Sequence, residues 1–379
     1  MAYKGMPRRR AVTRLPVHRV PSGRIRLGSA PAPGRTGRDL EKGPIISNST
    51  PPRTVGELGE FALIERINAG RTQAPAVLLG PGDDAAVLTA ARGRFVVTTD
   101  MLVQDRHFRL DWSSPYDIGR KAIAQNAADV VAMGAVPTAF VVALGCPADT
   151  PVSVIDGLAD GLWDEAAISG GSIAGGDLVR DAHLVVSVTA FGDPIGSEPV
   201  LRSGARPGDT IAVAGRLGWS AAGLTALSAG AGRQGQFAEA VAAHRVPKPP
   251  YRRVLDAVTA GVVPNALTDV SDGLLADLGH LATASQVAID LDSAALADAD
   301  LADLAAALDA DAAQWVLTGG EDHAFAAAWP AATELPSGWI RIGVVSAGQG
   351  VTVDGVRPAG RGGWESFAGA DSAQRPGSR

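Results

Sequence analysis

The sequence predicts an α/β (α+β) protein of two domains, and three observations lead there. Short β-branched runs alternate with longer stretches whose apolar residues recur every three to four positions. The turn Arg206-Pro207-Gly208-Asp209 interrupts that alternation, after which the same mixed pattern starts again. A chain of 379 residues, 46% hydrophobic and 20% charged, also has enough apolar material for two cores.

Residues 1 to 52 carry Arg8, Arg9, Arg10, Arg14, Arg19, Arg24 and Arg26 among Pro, Gly and Ser, against only Asp39 and Glu41, and read as a disordered basic tail. An N-terminal α/β domain is expected over 53–205. It begins with an amphipathic helix over 56–67, whose apolar face is Leu58, Phe61, Ile64 and Ile67. Strands follow at 76–79, 95–99, 138–144 and 184–191, and helices at 117–133 and 153–168. A C-terminal α/β domain over 206–369 opens with a strand at 210–214. Helices are predicted at 220–228, 272–285 and 296–308, strands at 287–291, 323–328 and 339–345, and a hairpin at 351–356 turning on Asp354-Gly355. The last ten residues, 370–379, read as a second disordered tail.

Charge and cysteine content narrow the function. A net charge of −6 argues against general nucleic-acid or anionic-membrane binding, which depends on Lys and Arg neutralising phosphates. The single cysteine, Cys146, precludes an intrachain disulfide and a Cys-based zinc site, which points to a reducing compartment, the cytoplasm. Every long Ala/Val stretch is broken by Gly, Asp or Pro, so neither a signal peptide nor a membrane span is expected.

Oxygen ligands recur beside glycine and at element ends: Gly82-Asp83-Asp84, Thr98-Thr99-Asp100, Asn126 with Asp129, Gly175-Gly176-Asp177, and Asp269-Val270-Ser271-Asp272-Gly273. Taken singly, each suits a turn or a cap; Ser271 or Asp272 is placed to cap the helix that follows. Taken together, converging carboxylates would repel one another by about 4 kcal/mol per pair at 4 Å and an effective dielectric near 20. Divalent metal resolves that conflict, and hard oxygen donors suit Mg²⁺ shared with substrate phosphates. Asn126 and Asp129, three apart in a helical stretch, share a face. No G-x-x-x-x-G-K-[ST] occurs, and Gly230 to Gly235 matches G-x-G-x-x-G only by its letters, because it follows a helix rather than a strand. Any phosphate site is therefore of another design.

From Gly56 to Phe367 the chain resembles the thiamine-monophosphate kinase family, part of the superfamily that includes aminoimidazole ribonucleotide synthetase and selenophosphate synthetase. The resemblance rests on Gly59-Glu60-Phe61-Ala62-Leu63-Ile64, Gly82-Asp83-Asp84-Ala85, Thr98-Thr99-Asp100, His107-Phe108 and Lys121 through Asp129. It continues with Met133-Gly134-Ala135, Gly175-Gly176-Asp177, Arg202-Ser203-Gly204-Ala205, Ser271-Asp272-Gly273-Leu274, Gly319-Gly320-Glu321-Asp322 and Gly363-Trp364-Glu365-Ser366-Phe367. It implies that Asp84, Thr98, Thr99, Asp100, Asp129, Asp177, Asp269 and Asp272 surround Mg²⁺ and the phosphates of ATP, with Asp100, Asp129 and Asp177 central to catalysis. Gly176, Arg202 and Ser271 would join the nucleotide site, and His107, Glu321 and Trp364 would face thiamine monophosphate. The same resemblance implies a homodimer whose N-terminal sheets close a barrel across the interface. Three positions depart from the family's usual residues: Met101, His323 where Tyr is common, and Trp364 as the aromatic near the end. Two other readings stand beside this one, an ATP-using relative with a different acceptor and a non-catalytic protein holding divalent metal on its acidic loops. Selenophosphate synthesis would need a reactive Cys near the N-terminal end, where Cys146 does not lie.

Overall fold

A computed structural model describes residues 54–81, 85–359 and 362–363, all within one compact unit, Pro51–Arg379. Both tails expected at 1–52 and 370–379, and the site residues Asp84 and Trp364, lie outside the described residues. Two α/β halves follow each other along the chain, each built on its own sheet.

The first half comprises α1 (Val55–Leu58), α2 (Glu60–Asn68), β1 (Val77–Leu79), β2 (Val87–Leu88), β3 (Val96–Val103), α3 (Pro115–Ala132), β4 (Ala135–Cys146), α4 (Val152–Ser169), β5 (Ile173–Arg180) and β6 (Val185–Pro194). Four of these strands form a sheet in the order β3-β6-β4-β5, antiparallel except for the β4/β5 pair. Ser114 and Asp117 cap α3 reciprocally and Pro115 occupies its first turn, a strong start signal. Helix α3 is buried on nearly every side because it lies between the sheet and α4. Gly119 and Gly161 allow that approach: a Cβ on Gly119 would sit 2.1 Å from the Leu158 carbonyl oxygen, and one on Gly161 2.0 Å from that of Tyr116.

The second half comprises β7 (Thr210–Ala214), α5 (Trp219–Ser228), α6 (Ala238–Arg245), α7 (Tyr251–Thr259), β8 (Ala266–Val270), α8 (Leu274–Ser285), β9 (Ala288–Leu291), α9 (Ala299–Ala307), α10 (Ala312–Thr318), β10 (Ala324–Trp329), β11 (Ile340–Ser346) and β12 (Gly350–Val353). Its six strands run β12-β9-β11-β7-β10-β8, with only β12/β9 parallel. Both faces of this sheet are covered, so β10 is buried at every position. Phe325, Ala327 and Trp329 join the core around α3, α4 and α7, whereas Ala324, Ala326 and Ala328 join the core with α5, α8, α9 and α10. Through that first face the two halves share one continuous apolar core.

Three local expectations need correction. The helix expected over 56–67 is broken at Gly59, whose φ of 82° ends α1 and opens α2. The segment at 351–356 turns at Asp354-Gly355, but only a single bridge joins Val353 to Val356 and β12 pairs parallel with β9, so there is no two-stranded hairpin. Neither Ser271 nor Asp272 caps α8 through its side chain. Asp277, inside the first turn, does that work by accepting from the backbone N–H groups of Ser271, Asp272 and Gly273.

Candidate active site

Period-2 alternation along β3 sorts its polar residues onto two faces. Thr98, Asp100 and Leu102 turn toward α3, while Val97, Thr99 and Met101 turn toward the uncovered side of the sheet. Helix α3 answers with Lys121, Gln125 and Asp129 at four-residue intervals, a polar line along an otherwise apolar helix. Thr98 Oγ1 donates to Asp129 Oδ2 at 2.9 Å, and the Gln125 amide is near enough to the Asp100 carboxyl to offset part of its rise. From the second half, β8 ends beside α3 and brings buried Asp269, whose Oδ2 lies 3.1 Å from His323 Nδ1. Asp272 follows at the mouth of α8.

The charge of Asp269 acts on the other three carboxylates. Burial first, then the charges of Asp269 and Asp100, push Asp129 up to about 7, against the opposing hydrogen bond from Thr98. Asp100 is raised by burial, with Asp269 adding to the effect and His323 working against it. Burial and then Asp269 likewise raise Asp272, and carry Asp277 to about 7. Burial would lower His323, but its bond to Asp269 and the surrounding carboxylates hold it above its ordinary value. No three acid, His or Cys side chains among the described residues lie close enough to hold an ion by themselves. The cluster is therefore a concentration of negative potential rather than a closed metal cage.

A second group adjoins it. Glu321 and His323 adopt the left-handed region, φ 67° and 50°, which non-glycine residues enter only when their surroundings impose it. Here Glu321 N donates to Ser271 O at 2.7 Å and His323 N to Val270 O at 2.9 Å. Between them, Asp322 accepts from Gly218 N and Ser220 N at the start of α5. Glu321 meets Lys121 Nζ at 2.7 Å. Burial alone would raise the Glu321 carboxyl, but Lys121 and then His244 keep it below the usual range. His107 uses Nδ1 to accept from Val103 N at 3.0 Å, which makes Nε2 the ring's donor.

Of the residues predicted from sequence, Thr98, Asp100, Asp129, Asp269 and Asp272 come together. Ser271 borders them through its backbone. Arg202 is exposed, donates from Nε to Thr268 Oγ1 at 3.2 Å, and lies near enough to Asp272 to offset part of its rise. Thr99 and Asp177 are not brought to the cluster. Thr99 Oγ1 donates to Val188 O on the opposite face. Asp177 stands on edge strand β5, in cross-strand line with Ala143, Ser187 and Met101 on that same uncovered face. Gly176 is needed in β5 because a Cβ there would meet the Val142 carbonyl oxygen at 2.0 Å. Asn126 is buried, donates from Nδ2 to Ala122 O, and its Oδ1 has no partner among the described residues. Lys121, Gln125, Asp277 and the His323 bond escaped sequence reasoning. The four-residue spacing of Lys121, Gln125 and Asp129 was the signal available for the first two.

Residues 82–193 match the family described as AIR synthase related protein, N-terminal domain, which sets the class: a two-domain α/β protein of that superfamily. A thiamine-monophosphate kinase of Mycobacterium tuberculosis is 54% identical over 329 residues, 86% of this chain and 97% of that one. The crystal structure of thiamine-monophosphate kinase from Stenotrophomonas maltophilia superposes with a TM-score of 0.69 at 35% identity, covering 79% of this chain and 98% of that one. A structure of AaThiL complexed with AMPPCP and TMP gives 0.67 at 30% identity, covering 82% and 98%. The chain belongs to the thiamine-monophosphate kinase family.

Proposed function

We infer that this chain transfers the γ-phosphoryl group of ATP to thiamine monophosphate, giving thiamine diphosphate and ADP. One observation carries the reading: Asp100 and Asp129 of one half meet Asp269 and Asp272 of the other, at a cost in repulsion and desolvation that burial alone would not justify. The donor set suits Mg²⁺ by its chemistry, being the hydroxyl of Thr98 and the carboxylates of Asp100, Asp129, Asp269 and Asp272, hard oxygen throughout. Thr98, Asp100, Asp129, Asp269 and Asp272, with Asp84, would hold the ion, which when bound supplies the positive charge that lets a triphosphate enter this field.

The chain's own residues do the rest by placement. The acceptor phosphate has a second pKa of about 6, so its oxygen is already ionised at neutral pH and no strong base is required. His107 Nε2 and Glu321 are assigned to the acceptor, with Trp364 as its aromatic partner. Ser271, Arg202, Gly176 and Asp177 are assigned to the nucleotide. Alignment of the attacking oxygen with the γ-phosphorus then accounts for catalysis.

The uncovered face of the first sheet supports a homodimer. Val97, Met101 and Val179 are 59%, 53% and 52% exposed there, a flat apolar surface that a second copy would cover by closing a barrel. Asp177 and Thr99 share that face, so their assignment to the phosphates depends on the second copy. The two domains are divided at the turn near residue 206, and the reducing environment implied by a lone, buried Cys146 is the cytoplasm. Among the described residues no helix is long and apolar enough to cross a membrane. Incubation with ATP, Mg²⁺ and thiamine monophosphate, with chromatographic detection of ADP and thiamine diphosphate, tests the reading; ATP that stays intact refutes it.

A further inference from the structure

We propose that Lys121 is a positioning residue for the acceptor: buried on α3, its ammonium fixes both the Glu321 side chain and the His107 backbone, and so sets the acceptor subsite at a constant offset from the acidic cluster. The proposal rests on the assignment of His107 and Glu321 to thiamine monophosphate.

Lys121 is 2% exposed, on a helix whose surroundings are almost wholly apolar. A buried ammonium needs its charge balanced and its three hydrogens used. Both needs are met from three separate segments. Glu321 Oε1, in the loop before β10, lies at 2.7 Å; the carbonyl of His107, after β3, at 3.1 Å; and the carbonyl of His244, at the end of α6, at 3.5 Å. With three acceptors for three hydrogens, Lys121 has nothing left to offer a ligand, which makes it a holder of other groups rather than a binding residue. His107 is thereby fixed twice, through its carbonyl and through its ring. Glu321 is fixed by the ammonium and by Ser271 O, in a backbone conformation it would not adopt freely. Burial and the nearby Lys121 keep His244 neutral at pH 7, so the lysine is the largest charge set against Glu321.

Lys121 also shares its helical face with Gln125 and Asp129. Eight residues at 1.5 Å place Lys121 about 12 Å along the axis from Asp129. One rigid helix, clamped to α4 at Gly119 and Gly161, therefore carries the fixing point of the acceptor at one end and a carboxylate of the phosphate-binding cluster at the other.

The test measures calorimetric dissociation constants for thiamine monophosphate and for ATP, together with turnover, in the wild-type chain, K121M, E321Q and K121M/E321Q. K121M is expected to weaken thiamine monophosphate at least tenfold and leave ATP within twofold. In the E321Q background, where the carboxylate is already lost, K121M should cost a further threefold or so through the His107 backbone, less than in the wild type. Should K121M alone fail to fold because Glu321 is left uncompensated, the double variant against E321Q decides, since it removes both charges. Unchanged affinity for thiamine monophosphate in the folded variant, or equal weakening of both ligands, overturns the proposal alone. A wild-type chain that neither binds nor phosphorylates thiamine monophosphate overturns the functional reading beneath it as well.

Discussion

Replacing Asp129 by Asn should stabilise the metal-free protein while abolishing its stabilisation by Mg²⁺. The carboxylate accepts from Thr98 and faces Asp100 and Asp269, and it is pushed from its ordinary 3.8 to about 7, first by burial and then by those charges. The sign follows from proton linkage. Between about pH 4 and pH 7 the folded chain keeps a proton that the unfolded chain has released, so stability without metal falls as pH rises through that window and stays low above it. A carboxyl held from 3.8 to about 7 corresponds to a ceiling of about 4 kcal/mol. Asn still buries a polar amide in the same place, which leaves about 2 kcal/mol of that to be recovered. Asn keeps an oxygen for Thr98 and carries no charge. Denaturation in chelator should therefore show D129N more stable than wild type by about 2 kcal/mol at pH 8, a rise of about 3 °C in Tm for a folded part of this size, with the gap narrowing as pH falls and closed near pH 4. Added Mg²⁺ should raise the wild-type Tm and leave D129N unmoved. A variant less stable than wild type at pH 8 without metal, or a gap of the same size at both pH values, would refute the reasoning.

Asp100→Asn should lower kcat by at least a thousandfold with Tm within a few degrees of wild type, because it removes charge from the cluster and not apolar packing; a loss under tenfold in a steady-state assay counts against the site. Gly161→Ala should cost about 1–3 kcal/mol or more in chemical denaturation, since its methyl would fall 2.0 Å from the Tyr116 carbonyl oxygen and the α3/α4 pair would have to part. Met101→Glu, on the uncovered sheet face, should halve the mass seen by light scattering. An unchanged mass would place the contact between copies elsewhere.

Much of this arrangement is legible in residue order because local chemistry and global fold agree. The α3 segment has a capping box, a proline in its first turn and an unbroken apolar periodicity, and it lies within two residues of its expected span. The acids within β3 and near the end of β8 stand out by their type alone. What order hides is direction. Thr98, Thr99 and Asp100 are consecutive, yet the pleat sends Thr99 to the far face, and only the packing of α3 against one side of β3 reveals which face is covered. Strand β5 looks like a loop because of Gly175 and Gly176, although the second of these is there for close backbone contact inside a parallel pair. Strand β8 is equally masked by the acids at its end, and α7 by the prolines before it. Asp277 is invisible because its role, capping three N–H groups of the turn before α8, depends on a loop geometry that spacing does not encode.

The line of Lys121, Gln125 and Asp129 makes α3 intolerant of a change in length even where it tolerates a change in sequence. Adding or deleting one residue between its ends would rotate one end about 100° relative to the other. Glu321 would then lose its lysine, or Thr98 its carboxylate, however conservative the inserted side chain. Over this stretch, natural variants of the fold should therefore differ by replacement and not by insertion or deletion.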